Sequence, residues 1–91
     1  MLHIVTQLHL IEDAARYALD KDCLLLVEEA VYAVNPQHKA HKLLPKEVTI
    51  KVLSADLIAR GLESACAKNI DSVDFSGFVD LTAEHSKSLT W

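Results

Sequence analysis

Segments with the apolar spacing of strands alternate with segments that have the apolar spacing of helices along this chain of 91 residues. Residues 2–6 and 48–54 hold β-branched side chains and predict strands. Residues 23–27 are apolar without interruption, which is typical of a strand covered on both faces. A short strand is predicted at residues 71–75. Four strands of this kind, each separated by a segment of another rhythm, indicate an α/β chain.

The segments between the predicted strands have the spacing and the end signals of helices. Residues 10–20 place apolar or small side chains on one side of a helix, and residues 28–34 predict a second, shorter helix. Residues 54–62 predict a third, with Ser54 as its N-cap and Gly61 at its end. Ser76 is expected to cap a last helix.

The resulting order is four repeats of strand and helix, which predicts a parallel sheet with helices on its faces. Residues 35–46 are polar, hold a proline near each end and predict a connection with at most one helical turn. No repeat or low-complexity segment divides the chain. We therefore expect a single domain over residues 1–91.

The chain is more hydrophobic than its size requires, since 51% of its residues are apolar. A domain of this length buries only about 60 to 65% of the surface that its unfolded chain exposes. Large bare apolar patches are uncommon on monomers that work alone in water. The composition thus predicts that other chains cover part of the surface.

Charge and hydropathy exclude two classes of function. The formal net charge is -4, and phosphate backbones are bound by clustered lysine and arginine, so we expect no direct binding of nucleic acid. No apolar run is long enough for a membrane span, and the first residues lack a signal-peptide pattern. The expectation is a cytoplasmic protein with reduced cysteines.

Cys23 stands at the start of a predicted strand, whereas ligands of open α/β sheets collect at the carboxyl ends. The neighbouring acids Asp20 and Asp22 are expected to raise the pKa of its thiol, which disfavours a thiolate. A free cysteine packs well as a small hydrophobic residue. A structural role is therefore favoured over a reactive one.

Cys66 is the better thiol on chemical grounds, because it follows the helix-ending glycine and has Lys68 two positions on. Glu63 is also close, however, and no histidine or second cysteine is near in sequence. Ordinary packing is again the favoured interpretation, with a sulfur-carrying role as the alternative.

The histidines and glycines complete the search for chemistry. His38 and His41 form half of a metal-ligand pattern without a third ligand, so a solvated face is favoured and no metal site is predicted. His3 is expected to pack within its strand. With only two glycines, no phosphate-binding loop can form, and no cofactor is expected. Carboxyl-end residues His9, Glu28 and Asp56 leave a small-ligand cleft as a further alternative.

Several segments together resemble the DsrH/TusB family of small sulfur-relay subunits. They are MLHIV at the start, LLLVEEAVYA, LSADLIARGL, and IDSVDFSGFVDLTAEH with the final Trp91. The likeness spans nearly the whole chain, with residues 35–46 matching least. It implies a small three-layer parallel-sheet domain of the DsrE/DsrF/DsrH-like type.

The resemblance implies a non-catalytic subunit of a TusBCD-like complex that supports 2-thiolation of the tRNA wobble uridine. Its partners would be TusC-like and TusD-like subunits in a heterohexamer, with TusA-like and TusE-like proteins as transient sulfur carriers. Trp91, Phe78, Phe75 and Tyr32 are the expected interface residues, since aromatic side chains are enriched at binding hot spots. The alternative is that Trp91 folds back on its own core and that the other three also pack within the chain. The alternative is a DsrH-like sulfur-trafficking protein or sulfurtransferase with Cys66 or Cys23 as persulfide acceptor.

The chain departs from the family pattern in two places. Ala14 stands where DsrH chains of sulfur oxidisers have a cysteine on the first helix, which favours the TusB branch. Glu29 and Ala30 replace a frequent Asp-Gly step after the second strand. Alanine resists the positive φ that glycine accepts, so the turn there is expected to differ.

Overall fold

A computed structural model describes all residues, 1–91, and shows one five-stranded parallel sheet with helices on both faces. The strands are β1 (Leu2–Val5), β2 (Cys23–Leu26), β3 (Thr49–Leu53), β4 (Asp71–Val73) and β5 (Ser88–Thr90). The α-helices are α1 (Ile11–Tyr17), α2 (Ser54–Ala59) and α3 (Phe75–Glu84). Segments Leu8–Leu10, Glu28–Val34, Lys39–Leu43 and Glu63–Ala65 are 3₁₀-helical.

The strand order β4-β3-β2-β1-β5 places β2 at the centre of the sheet. Every residue of β2 is buried, which confirms the prediction from its unbroken apolar run. Cys23 is opposite Leu2 on one side and Thr49 on the other. The parallel sheet is therefore built around the most hydrophobic stretch of the chain.

Two separate cores lie on the two faces of this sheet. The larger holds thirteen buried residues, among them Ile11 and Ala14 of α1 and Leu57 of α2. The smaller holds six, among them Cys23 and Leu81 of α3. Because α3 is the one α-helix represented on the second face, that face has the thinner cover. The predicted three-layer architecture is confirmed.

The sequence missed β5. Asp71–Val73 is not the last strand, since Ser88–Thr90 pairs in parallel with β1 at the edge of the sheet. All three residues of β5 are exposed, so the segment has no hydrophobic run to mark it. The first helix is also shorter than predicted, because it starts at Ile11 after a 3₁₀ turn and ends at Tyr17.

Both predicted serine caps are wrong. Ser54 is already the first residue of α2, and Leu53 occupies the cap position without a side-chain bond. At α3 the cap is Asp74, whose Oδ1 accepts a hydrogen bond from the N–H of Gly77 at 2.8 Å. A carboxylate at this position also interacts favourably with the helix dipole.

The turn after β2 differs from the expected one in the residue that adopts the left-handed conformation. Glu28 has φ of 50°, and no other residue except Gly61, at 64°, has a positive φ. Ala30 is buried in the larger core and needs no such conformation. The strained backbone conformation expected near Ala30 is therefore at Glu28. Gly61 follows the end of α2, as predicted.

Candidate functional site

The thiol of Cys23 lies inside the smaller core at the start of β2, with 3% of the residue exposed. Its Sγ lies 3.8 Å from the carbonyl of Leu24. Burial raises the pKa of this thiol, Lys51 opposes part of the rise, and Glu84 adds to it. The predicted direction is confirmed, but its cause is burial and not the neighbouring aspartates.

Cys66 is half-buried after the 3₁₀ turn Glu63–Ala65 and packs against the larger core. Its Sγ is 3.6 Å from the carbonyl of Ala67 and 3.8 Å from that of Ile70. Burial raises the pKa of the Cys66 thiol and Asp71 raises it further, so Lys68 does not activate it. A nucleophilic thiolate requires the opposite environment.

Ala14 on α1 is completely buried in the larger core. A methyl group here packs against the sheet and offers no reactive atom. The position at which the resemblance implies a cysteine in DsrH chains is thus filled by core packing.

A buried polar chain links β1, the turn before β2 and the end of β5. His3 is completely buried, and its Nε2 lies 2.9 Å from Oδ2 of Asp22. The indole Nε1 of Trp91 donates to His3 Nδ1 at 3.2 Å, and the Trp91 backbone N–H donates to the carbonyl of Ile4 at 2.7 Å. Trp91 is therefore half-buried against its own chain.

An aromatic group is exposed beside this network. Tyr17 packs edge-on against Trp91, with ring centroids 5.8 Å apart, yet 62% of Tyr17 is exposed. Leu19 is 70% exposed, and Leu89 of the edge strand is 38% exposed. Tyr17, Leu19, Leu89 and Trp91 form what we call the edge patch.

Helix α3 presents a second apolar group. Phe75 and Val79, one helical turn apart, are 64% and 63% exposed, while Phe78 is half-buried against the smaller core. Leu81 alone of this helix is fully packed inside. We call Phe75, Phe78 and Val79 the helix patch.

Tyr32 is half-buried on the other face and stacks on His38, with ring centroids 6.3 Å apart. The guanidinium carbon of Arg60 lies 5.9 Å from the centre of the Tyr32 ring, within the range of a cation–π contact. Of the four predicted interface residues, Tyr32 is the one that lies in neither apolar patch.

The predicted carboxyl-end cleft does not form as one site. Asp56 Oδ2 accepts a hydrogen bond from the backbone N–H of Glu28 at 2.7 Å, and Oδ1 lies 3.9 Å from Arg60. This carboxylate stabilises the strained turn after β2. His9 instead lines a hollow of about 340 Å³ with His38, Lys39 and Lys42, which neither Glu28 nor Asp56 lines.

His38 and His41 bond to the backbone and do not form a solvated face. His38 Nδ1 accepts from the N–H of Ala40 at 3.0 Å, and His41 Nδ1 lies 2.8 Å from the carbonyl of Ala33. No group of three or more His, Cys, Asp or Glu side chains has a geometry that could hold a metal ion. No helix of the chain has the length and hydrophobicity that crossing a membrane requires.

The fold places the chain among α/β proteins with a parallel sheet covered on both faces. The crystal structure of the ychN protein from Escherichia coli matches it with a TM-score of 0.72, covering 99% of this chain and 97% of that one. The two sequences are 18% identical, so this likeness shows the fold alone.

The family model described as DsrH like protein matches residues 6–88, and the chain belongs to this family. Protein TusB of Yersinia pestis (strain Pestoides F) is 35% identical over 77 residues, which are 84% of this chain and 81% of that protein. Protein TusB of Escherichia coli O81 (strain ED1a) is 34% identical over an alignment of 95 residues that covers both proteins completely. The predicted family is confirmed.

Proposed function

We propose that this chain is a non-catalytic, architectural subunit of a TusBCD-like sulfur relay complex that supports 2-thiolation of the tRNA wobble uridine. Its partners would be TusC-like and TusD-like subunits in a heterohexamer. TusA-like and TusE-like proteins would bring and remove sulfur, and the assembly would work in the cytoplasm. Family membership and the relatives named Protein TusB support the relay itself.

The environment of the two thiols is the observation that carries the non-catalytic part of the proposal. A persulfide carrier attacks a sulfur donor as a thiolate, and its reactivity depends on a lowered thiol pKa. Burial raises the pKa of both Cys23 and Cys66. Ala14 offers no substitute, since it is buried and has only a methyl side chain.

The helix patch and the edge patch support the architectural part. Phe75, Val79, Tyr17 and Leu19 are each more than half exposed, although most large apolar side chains of a small domain pack inside. The two patches lie on different elements, which suits a subunit that contacts two different neighbours. Aromatic side chains of this kind often dominate binding energy once a partner covers them.

Coexpression with TusC-like and TusD-like chains tests the assembly. We expect one complex in size-exclusion chromatography with light scattering, and Phe75→Asp should release this subunit without changing its own melting temperature. Ser76→Asp is the matched control, because it introduces the same charge at the exposed neighbouring residue. A chain that stays separate from both partners would refute the proposed assembly.

Treatment of the complex with a persulfide donor, followed by intact mass measurement, tests the chemistry. The added sulfur atom should appear on a partner chain and not on this one. Persulfide on Cys66 or Cys23 that is passed on to an acceptor protein would replace the proposal with the sulfurtransferase alternative, and the variants Cys66→Ala and Cys23→Ala identify which thiol is used.

A further inference from the structure

One stretch of the chain carries positive charge without any acidic residue. Residues 30–46 hold three lysines and no aspartate or glutamate, so all thirteen carboxylates lie elsewhere. The chain outside this stretch is therefore more acidic than the net charge of -4 indicates. A local excess of positive charge on an acidic protein attracts anionic groups and steers their approach.

Two of the three lysines stand at the hollow that His9 lines. Its floor is apolar and consists of Leu8, Ala40 and Leu43, which also pack against the larger core. Lys39 and Lys42 stand exposed at its rim, and neither forms an ion pair with a carboxylate of the chain. The third, Lys46, lies beside Glu47 and Asp20 at another hollow.

The side of the hollow formed by His38 is held in a fixed orientation. Because Nδ1 of His38 accepts from the N–H of Ala40, the ring carries its proton on Nε2 and can donate from there. Stacking on Tyr32, whose ring centre also lies 5.9 Å from the guanidinium carbon of Arg60, supports the orientation. The hollow therefore combines an apolar floor, a histidine donor and two unpaired ammonium groups.

We propose that this hollow docks an acidic peptide segment of a partner protein, with one apolar side chain on the floor and carboxylates at Lys39 and Lys42. Charge complementarity selects the occupant, because the lysines have no carboxylate of their own chain to bind. The apolar floor favours a protein segment over a nucleic-acid backbone, which offers phosphates and sugars and no aliphatic anchor. The proposal stands apart from the proposed relay function.

Fluorescence anisotropy on the full chain tests this with a labelled heptapeptide in which three glutamates flank a central leucine on each side. Replacing that leucine by serine should weaken binding about ten-fold, since the buried leucine side chain is lost from the floor. Lys39→Glu with Lys42→Glu should weaken binding of the leucine peptide by at least about ten-fold. Raising the salt concentration should also weaken binding of the leucine peptide to the wild-type chain.

Two controls separate the hollow from general effects. Lys68→Glu with Lys87→Glu changes the charge equally at exposed lysines that lie outside it, and should leave the affinity within about three-fold of the wild type. Leu43→Ala should weaken binding, whereas Leu44→Ala should not, because Leu44 packs against the same core but does not line this hollow.

Three results would overturn the proposal. They are equal binding of the leucine and serine peptides, an equal loss in the control lysine pair, and tighter binding of a single-stranded uridine oligonucleotide than of the leucine peptide. The last result would identify the hollow as a phosphate-binding surface.

Discussion

Nε1 of Trp91 donates a hydrogen bond to Nδ1 of His3 over 3.2 Å, although the two residues are 88 positions apart. An indole N–H can only donate, so His3 Nδ1 must accept and its proton must lie on Nε2. That nitrogen faces Oδ2 of Asp22 at 2.9 Å. The contact therefore fixes one tautomer of a completely buried imidazole and joins the residue after the edge strand β5 to β1.

Trp91→Phe should lower the free energy of unfolding by about 1 to 3 kcal/mol, because it leaves the buried His3 Nδ1 without a donor. The aromatic contact with Tyr17 would largely remain, while the smaller ring also loses part of the packing of Trp91 against the larger core. Urea unfolding followed by circular dichroism measures it. Tyr17→Phe is the control, because the Tyr17 hydroxyl bonds to no other group of the chain. Equal stability of Trp91→Phe and wild type would contradict the assigned hydrogen bond.

The carboxylate of Asp22 should make the free energy of unfolding depend on pH in the acidic range. The backbone N–H of Leu19, the α-amino group of Met1 and His3 bond to it, and together they hold its pKa well below the usual range. A carboxyl with a lowered folded pKa stabilises the fold above its unfolded pKa of about 3.9 and loses that contribution as the pH falls below it.

Asp22→Asn is therefore expected to cost about 2 kcal/mol or more at pH 7, since hydrogen bonds to a charged group are lost. The difference from wild type should shrink as the pH drops from about 4 towards 2. Asp80→Asn removes an exposed carboxylate that forms no ion pair. It should change neither the stability at pH 7 nor its dependence on pH. A constant difference across this pH range would show that the charge of Asp22 does not matter.

The four strands of the hydrophobic pattern could be predicted because burial on one or both faces leaves a visible rhythm in the sequence. Strand β5 leaves none, as Ser88, Leu89 and Thr90 are all exposed and owe their conformation to pairing with β1. The caps failed for a different reason. Serine and aspartate are both good N-caps, so Asp74 and Ser76 could be separated only by knowing where α3 begins.

The location of Cys23 followed from the sequence, whereas the contact of His3 with Asp22 did not. Asp22 lies in a polar turn where an exposed carboxylate is the ordinary expectation. Its partner comes from another strand, and only the register that sets Leu2 opposite Cys23 brings the two residues together. Pairings between distant strands leave no pattern within a single stretch of sequence.

Glu28→Gly should raise the free energy of unfolding by about 0.5 to 1 kcal/mol. Glu28 has φ of 50°. This left-handed conformation is unfavourable for a residue with a Cβ atom, whereas glycine adopts it readily. The loss of backbone entropy that accompanies glycine reduces the gain. Thermal unfolding by calorimetry measures the change.

Glu29→Gly is the matched control for this substitution, since Glu29 is also exposed, lies next in the same 3₁₀ segment and has a negative φ. It should lower the free energy of unfolding by about 0.5 to 1 kcal/mol. If both glycine variants change stability in the same direction, the left-handed conformation of Glu28 is not the source of the effect.

Both thiols should react slowly with iodoacetamide at pH 7, more slowly than free cysteine, because burial raises their pKa and leaves little thiolate. Cys66 should react before Cys23, as it is half-buried while Cys23 is 3% exposed. Mass spectrometry of digested samples, taken over time, gives the two rates separately.

The substitution Asp71→Asn tests whether the Asp71 carboxylate contributes to the raised pKa of the Cys66 thiol. Asp71 raises the pKa of that thiol, so its removal should speed alkylation at pH 8. The gain should stay below about three-fold, because the Asp71 carboxylate is exposed and solvent screens it. Asp80→Asn should leave the rate unchanged. Faster alkylation of Cys66 than of free cysteine at pH 7 would show an activated thiol, and would return Cys66 to the position of sulfur acceptor.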